Sequence, residues 1–74
     1  MPNKIAQIVD HFIYLKGLEQ DEVVYKRYLK DAKDLLALSG SVEKAQWNLE
    51  KMKEWADGRG LEWNIGTVIK RFFL

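Results

Sequence analysis

Apolar residues recur every three or four positions through four segments of the chain, which is the spacing of one helix face. The four predicted faces, in chain order, are Ile5, Ile8, Val9, Phe12 and Ile13; Tyr25, Tyr28, Leu29, Ala32, Leu35 and Leu36; Val42, Ala45, Leu49, Met52 and Ala56; and Ile65, Val68, Ile69 and Phe72. Strand-like alternation appears in none of them. The pattern predicts an all-α fold, a small compact bundle of four helices or of three plus a short C-terminal helix.

The ends of these segments carry residues that start and stop helices. A side chain suited to the N-cap precedes each segment, and the four residues are Asn3, Asp21, Ser41 and Asn64. Glycines follow the first three segments at positions 17, 40, 58 and 60. We expect these glycines to end the helices by adopting left-handed backbone angles. The first helix is therefore predicted to end at about Lys16, and the last to begin at Ile65.

Trp63 lies just before the last predicted helix, next to the proposed cap Asn64. In that register Trp63 and Val68 occupy the two positions of a hydrophobic staple, which fixes the angle at which a chain enters a helix. We expect this segment to fold the last helix back onto the others. Trp63 and four other aromatic residues are predicted to lie in the core, the four being Phe12, Tyr25, Tyr28 and Phe72.

Composition narrows the classes of protein to consider. Seventy-four residues with 47% hydrophobic content fit one folded domain, residues 1–74. The chain ends within an apolar pattern, so we expect a domain of a longer protein. It contains no cysteine, which excludes disulfides and thiolate metal sites. No apolar run approaches the roughly 20 residues of a membrane span. We expect a cytoplasmic protein without a membrane partner.

The sequence offers little for catalysis or metal binding. The one histidine, His11, follows Asp10, and adjacent residues on a helix do not face each other. A single histidine cannot supply a spaced pair of histidine ligands. The glycines at 58, 60 and 66 do not follow a strand, as those of phosphate-binding loops do. We therefore expect no catalytic residues, no metal site and no cofactor.

Basic residues form a more promising group. The second helix carries Lys26, Arg27, Lys30 and Lys33, the last helix carries Lys70 and Arg71, and Arg59 lies in the loop between the last two helices. Flexible cations on an exposed face are what phosphate contacts require. The alternative is an ordinary solvated face, since Lys30 and Asp34 are spaced for a local ion pair. The net charge of +1 means that nucleic-acid contact would have to be local.

Trp47 is the least expected residue of the third helix. At about 100° per residue it falls almost opposite the apolar face, whereas Trp55 falls at the edge of that face. An exposed tryptophan is typical of binding hot spots. The sequence leaves two alternatives open, an interface centred on Trp47 and Trp55 or burial of Trp47 by a second neighbour of the helix.

Three segments together resemble a small helical domain of phage- and plasmid-type proteins. They are A-K-D-L-L-A-L-S-G-S-V-E-K-A at 32–45, M-K-E-W-A at 52–56, and G-L-E-W-N-I-G-T-V-I-K-R-F at 60–72. The domain is similar in size and place to C-terminal modules of replisome organisers and helicase loaders. The resemblance implies a non-enzymatic accessory domain that contacts a replication or regulatory protein. Direct nucleic-acid binding through the basic residues is the alternative.

Overall fold

The computed structural model describes residues 3–19 and 21–74. Within these residues the chain forms four α-helices: α1 (Lys4–Lys16), α2 (Glu22–Ser39), α3 (Val42–Asp57) and α4 (Ile65–Phe73). Helices α1 and α4 each pack on both α2 and α3, and α2 also packs on α3. The described part contains no strand. The predicted all-α bundle of four helices is therefore confirmed, and α4 is its short member.

Each helix begins at the predicted cap because a side-chain oxygen accepts a free backbone N–H of the first turn. Asn3 accepts from Ala6 at 2.7 Å, for example. At α4 the arrangement is reciprocal: Asn64 Oδ1 accepts the Thr67 N–H at 3.0 Å, and Thr67 Oγ1 accepts the Asn64 N–H at 3.2 Å. This capping box sets the start of a helix that has only nine residues.

The glycines after α1 and α2 adopt the predicted left-handed backbone angles, but of the two glycines after α3 only one does. Gly17 and Gly40 have φ of 67° and 89°, and Gly60 has φ of 65°. Gly58 retains helical angles, with φ of −65°. The chain therefore leaves the helical conformation over residues 58–60, and only Gly60 needs the left-handed region there.

The core consists of apolar side chains from all four helices and from Trp63. Its buried members among the described residues are Ile8, Val9, Phe12, Ile13, Ala32, Leu35, Ala45, Leu49, Met52, Ala56, Trp63, Ile65 and Val68. The predicted face of α3 is confirmed at Ala45, Leu49, Met52 and Ala56, while Val42 is half-buried. On α2 only Ala32 and Leu35 are fully buried, and the other predicted residues are half-buried and pack against the core, namely Tyr25, Tyr28, Leu29 and Leu36.

Three aromatic rings join the loop between α3 and α4 to the rest of the core. Phe12 is fully buried and makes edge-on contacts with Tyr28 of α2 at 4.8 Å and with Trp63 at 5.4 Å between ring centres. Such geometry is favourable between aromatic rings. Trp63 is 5% exposed, and its staple partner Val68 is completely buried. The predicted burial of Trp63 is therefore confirmed.

An ion pair holds the outer side of the same loop. The Lys16 ammonium donates to Glu62 Oε1 and lies 5.3 Å from the centre of the Trp63 ring. The hydrogen bond and charge of Lys16, with a smaller contribution from the Trp63 backbone N–H, hold the pKa of Glu62 below its ordinary value. The end of α1 is thus joined to the entrance of α4.

Replacing Lys16 with methionine should raise the pKa of Glu62 toward that of a free glutamate. Because the folded-state pKa is lowered, the pair stabilises the fold above the unfolded-state pKa of about 4.3, and this contribution is lost as pH falls through the lowered value. Carboxyl NMR titration measures the shift, and Lys53→Met, which removes the partner of Asp57, is the matched control. An ordinary Glu62 pKa in the unaltered protein would contradict the pairing.

Candidate protein-interaction groove and arginine cluster

An apolar groove lies where the ends of α2 and α4 meet the first half of α3. The groove is open to solvent and has a volume of about 520 Å³. Its lining residues are Leu38, Ser39, Lys44, Trp47, Asn48, Phe72 and Phe73. At its base Asn48 Nδ2 donates to Ser39 Oγ at 2.9 Å, which fixes α3 against the end of α2. We refer to this feature, by its three exposed apolar residues, as the Leu38–Trp47–Phe72 groove.

Trp47 is exposed, as expected from its position opposite the buried face of α3. Its side chain is 57% exposed, although Ala45 and Leu49 on the same helix are completely buried. The Lys51 ammonium lies 5.5 Å from the centre of its ring. Of the two alternatives left open by the sequence, the structure therefore favours an exposed indole, with no second helix covering it.

Phe72 corrects one prediction about α4. It was expected in the core, but it is 40% exposed, and Phe73 is the half-buried residue that packs on the core. The last turn of α4 thus directs Phe73 inward and leaves Phe72 at the groove. Leu38, 48% exposed, was missed altogether. Helical geometry alone does not identify it, because Leu38 lies some 120° from the buried Ala32 around the α2 axis but only about 60° from the buried Leu35.

Trp55 belongs to a different surface from Trp47. The guanidinium carbon of Arg71 lies 3.7 Å from the centre of the Trp55 ring, and that of Arg59 lies 4.6 Å from it. The indole itself is half-buried and packs on the core. One predicted protein-contact residue and two predicted nucleic-acid-contact residues therefore form a single group, the Trp55–Arg59–Arg71 cluster. Among the described residues, no ring contact joins Trp55 to Trp47.

Two of the basic residues of α2, Lys30 and Lys33, lie on a different side of that helix from the side that meets α4. Lys30 and Lys33 line a shallow groove with Ile5 of α1. Asp31, in contrast, faces α4, where its Oδ2 would lie 3.6 Å from the Cβ of a larger residue in place of Gly66. Positions 31 and 33 are about 200° apart around a helix. The predicted cations are therefore divided between at least two surfaces of the bundle.

Most cations of α2 are exposed and unneutralised. Lys26 pairs with Glu22 at 3.1 Å, one helical turn away. Within residues 3–19 and 21–74, Arg27, Lys30 and Lys33 take part in no ion pair, so the Lys30–Asp34 pair that the spacing allows is not formed. These residues stay candidates for weak phosphate contact.

His11 lies near a carboxylate of another helix, Glu50 of α3. Its Nε2 lies 3.7 Å from Glu50 Oε1 of α3, and the imidazole is partly buried. That nitrogen has no hydrogen-bond partner among the described residues. The separation exceeds a hydrogen bond, so the contact orients the ring weakly.

Other kinds of site find no support in the described residues. No three side chains there of the types that bind metals come close enough to share an ion. Likewise, none of the described helices combines the length and apolar character needed to cross a bilayer.

Replacing Trp47 with alanine should change the free energy of unfolding by no more than about 1 kcal/mol, because an exposed side chain loses little packing. Chemical denaturation measures this. Iodide quenching gives an independent check: Trp47→Phe should remove most of the quenchable tryptophan fluorescence, whereas the 5% exposed Trp63 contributes little to it. A loss of several kcal/mol, or quenching that Trp47→Phe leaves unchanged, would return Trp47 to the core.

Comparisons with protein-family models, with curated proteins and with solved structures gave no significant match to this chain.

Proposed function

We propose that this chain is a non-enzymatic interaction domain that docks a helical segment of a partner protein in the Leu38–Trp47–Phe72 groove. The observation that carries the proposal is the convergence of three large exposed apolar side chains, one from each of three helices, on one concave surface. Apolar surface is unfavourable in water, and a tryptophan at the centre of such a patch is typical of a hot spot.

The charges at the groove indicate what kind of segment fits. Lys44 is the only charged residue that lines it, and Lys44 takes part in no ion pair among the residues the structure describes. Lys51 lies on the other side of the Trp47 ring. An amphipathic helix with apolar anchors beside an acidic residue would satisfy both the apolar surface and the free ammonium.

The sequence resemblance suggests where such a partner belongs. The segments similar to accessory modules of replisome organisers and helicase loaders include Leu38, Trp55 and Phe72, all close to or within the surfaces described above. The proposed partner is accordingly a replication or regulatory protein of a phage- or plasmid-type system. Direct nucleic-acid contact, the alternative that the resemblance leaves, rests on different residues.

Site-specific photo-crosslinking can test the docking proposal in cells that contain the protein. A photoreactive residue at position 47 should capture one partner protein, and the same residue at position 14 should not. Tyr14 is the matched control because it is an aromatic residue of α1 that is 79% exposed and outside the groove.

The captured protein is then purified and its affinity measured. Trp47→Ala should weaken binding by about 30-fold or more, as expected for a hot-spot residue, and Tyr14→Ala should not. Lys44→Glu should also weaken binding, whereas Lys33→Glu, an equal charge change on α2, should not. Equal capture at both positions, capture of a second copy of this chain alone, or an affinity unchanged by Trp47→Ala would overturn the proposal.

A further inference from the structure

The Trp55–Arg59–Arg71 cluster brings two cations from distant parts of the chain onto one side chain. Both guanidinium carbons lie within 4.6 Å of the same ring centre. Arg59 is also restrained by a hydrogen bond from its Nη1 to the Trp55 carbonyl oxygen at 3.4 Å. Because Trp55 packs on the core, it holds both arginines at defined places on the surface.

The carboxylates nearest in sequence do not neutralise this charge. Glu54 pairs with Lys51, Asp57 with Lys53, and Glu62 with Lys16. Across residues 3–19 and 21–74, neither Arg59 nor Arg71 takes part in an ion pair. Two like charges therefore share a small surface without a counter-ion, an arrangement that an external anion would stabilise.

The geometry of a stacked guanidinium determines which anion fits. Stacking covers the face of the group and leaves its N–H donors at the edge, where they can bind a phosphate or a carboxylate in a bidentate manner. Lys70 is exposed and also without an ion pair in the described part of the chain, but it points about 100° away from Arg71 around α4 and is not counted in the cluster. Two cations held on an open surface can each contact a separate phosphate, which suits a chain of phosphates better than one small ligand.

We infer that Arg59 and Arg71, aligned by Trp55, form a binding site for the phosphodiester backbone of a nucleic acid. Trp55 acts as a positioning residue, and its ring faces are engaged by guanidinium groups. Recognition at this site is of the backbone and not of the base sequence. The site is separate from the Leu38–Trp47–Phe72 groove and does not depend on a protein partner there.

The test compares two double variants that remove the same amount of charge. Arg59→Ala with Arg71→Ala removes the cluster, and Lys30→Ala with Lys33→Ala removes two exposed cations of α2. Binding of a fluorescently labelled oligonucleotide is measured by anisotropy over a range of salt concentrations, with single-stranded and duplex forms compared. Circular dichroism establishes that each variant is folded.

The cluster variant should bind at least tenfold more weakly at low salt, and its salt dependence should fall by about two counterions, one for each phosphate contact removed. The α2 variant should change affinity by less than threefold. Replacing both arginines with lysine should also weaken binding, because lysine keeps the charge but not the planar stacked donors. Preference for the single strand or the duplex identifies which form supplies the backbone.

Three results would overturn the inference. One is absence of binding at low salt, and another is equal loss in the two alanine variants, which would indicate a response to net charge alone. The third is competition by polyglutamate as effective as that by unlabelled oligonucleotide, which would make the cluster a carboxylate site for an acidic protein. Inorganic phosphate serves as a further competitor and should act only weakly, because it offers a single phosphate.

Discussion

Replacing Trp63 with alanine should lower the free energy of unfolding by roughly 3–5 kcal/mol, the range measured for truncating large buried aromatic residues. Trp63 is 5% exposed, lies edge-on to Phe12 and precedes the capping box of α4. Its removal leaves a cavity between α1 and the entrance to α4, and it also removes one half of the hydrophobic staple. The effect should therefore combine lost packing with weaker docking of α4.

Equilibrium denaturation by urea, followed by circular dichroism, measures this loss. Trp47→Ala is the matched control because it makes the same chemical change at an exposed position of the same protein. If Trp63→Ala costs no more than about 0.5 kcal/mol, as surface substitutions do, the loop does not position α4 in the way described.

Replacing Phe12 with alanine should be comparably severe, at roughly 3–5 kcal/mol. Phe12 is completely buried and is the one ring that contacts both Tyr28 of α2 and Trp63. At 0.05–0.15 kcal/mol per residue, a domain of this length has a total stability of only about 4–11 kcal/mol. The alanine variant is therefore expected to be largely unfolded on warming.

The melting temperature of Phe12→Ala, followed by circular dichroism, gives the readout. Phe12→Leu keeps most of the buried volume and should lose much less, which keeps the comparison measurable if the alanine variant does not fold. Tyr14→Ala, two residues away on the exposed side of α1, is the matched control. A Phe12→Ala variant as stable as Tyr14→Ala would contradict the aromatic contact as a centre of the core.

The helices were predictable because their signals are local. Asn3, Asp21, Ser41 and Asn64 each accept an N–H from a residue two or three positions later, so cap and helix lie in the same short stretch of sequence. The buried face of α3 follows from its own periodicity for the same reason. Neither inference requires knowledge of how the helices pack together.

Features that depend on packing between helices were harder to predict. The periodicity of α4 put Phe72 in the apolar face, but which residue of the last turn meets the core depends on the angle at which α4 lies on α2 and α3. In the structure Phe73 meets the core and Phe72 does not. The meeting of Arg59 and Arg71 at Trp55 also required the folded arrangement, because Arg59 lies in the α3–α4 loop and Arg71 lies 12 positions later, in α4.

The sequence placed Trp47 opposite the apolar face of α3 but left open whether a second neighbour of the helix buries it. Helical geometry placed it opposite the buried face of α3, and the structure agrees. Leu38 of α2 and Phe72 of α4 lie next to this exposed indole, and the three residues together line the groove. The central residue of the proposed site was therefore singled out from the sequence, but Leu38 and Phe72 on either side of it were not.

The last turn of α4 places Arg71 and Phe72, consecutive residues, at two different surfaces, the first against Trp55 and the second at the groove. The final turn of a short helix is the part that opens most readily. A molecule bound at one surface holds this turn in its helical conformation. Less conformational entropy is then lost when a second molecule binds at the other surface. Occupancy of one surface should therefore favour occupancy of the other, and slower amide hydrogen exchange at the end of α4 would report both events.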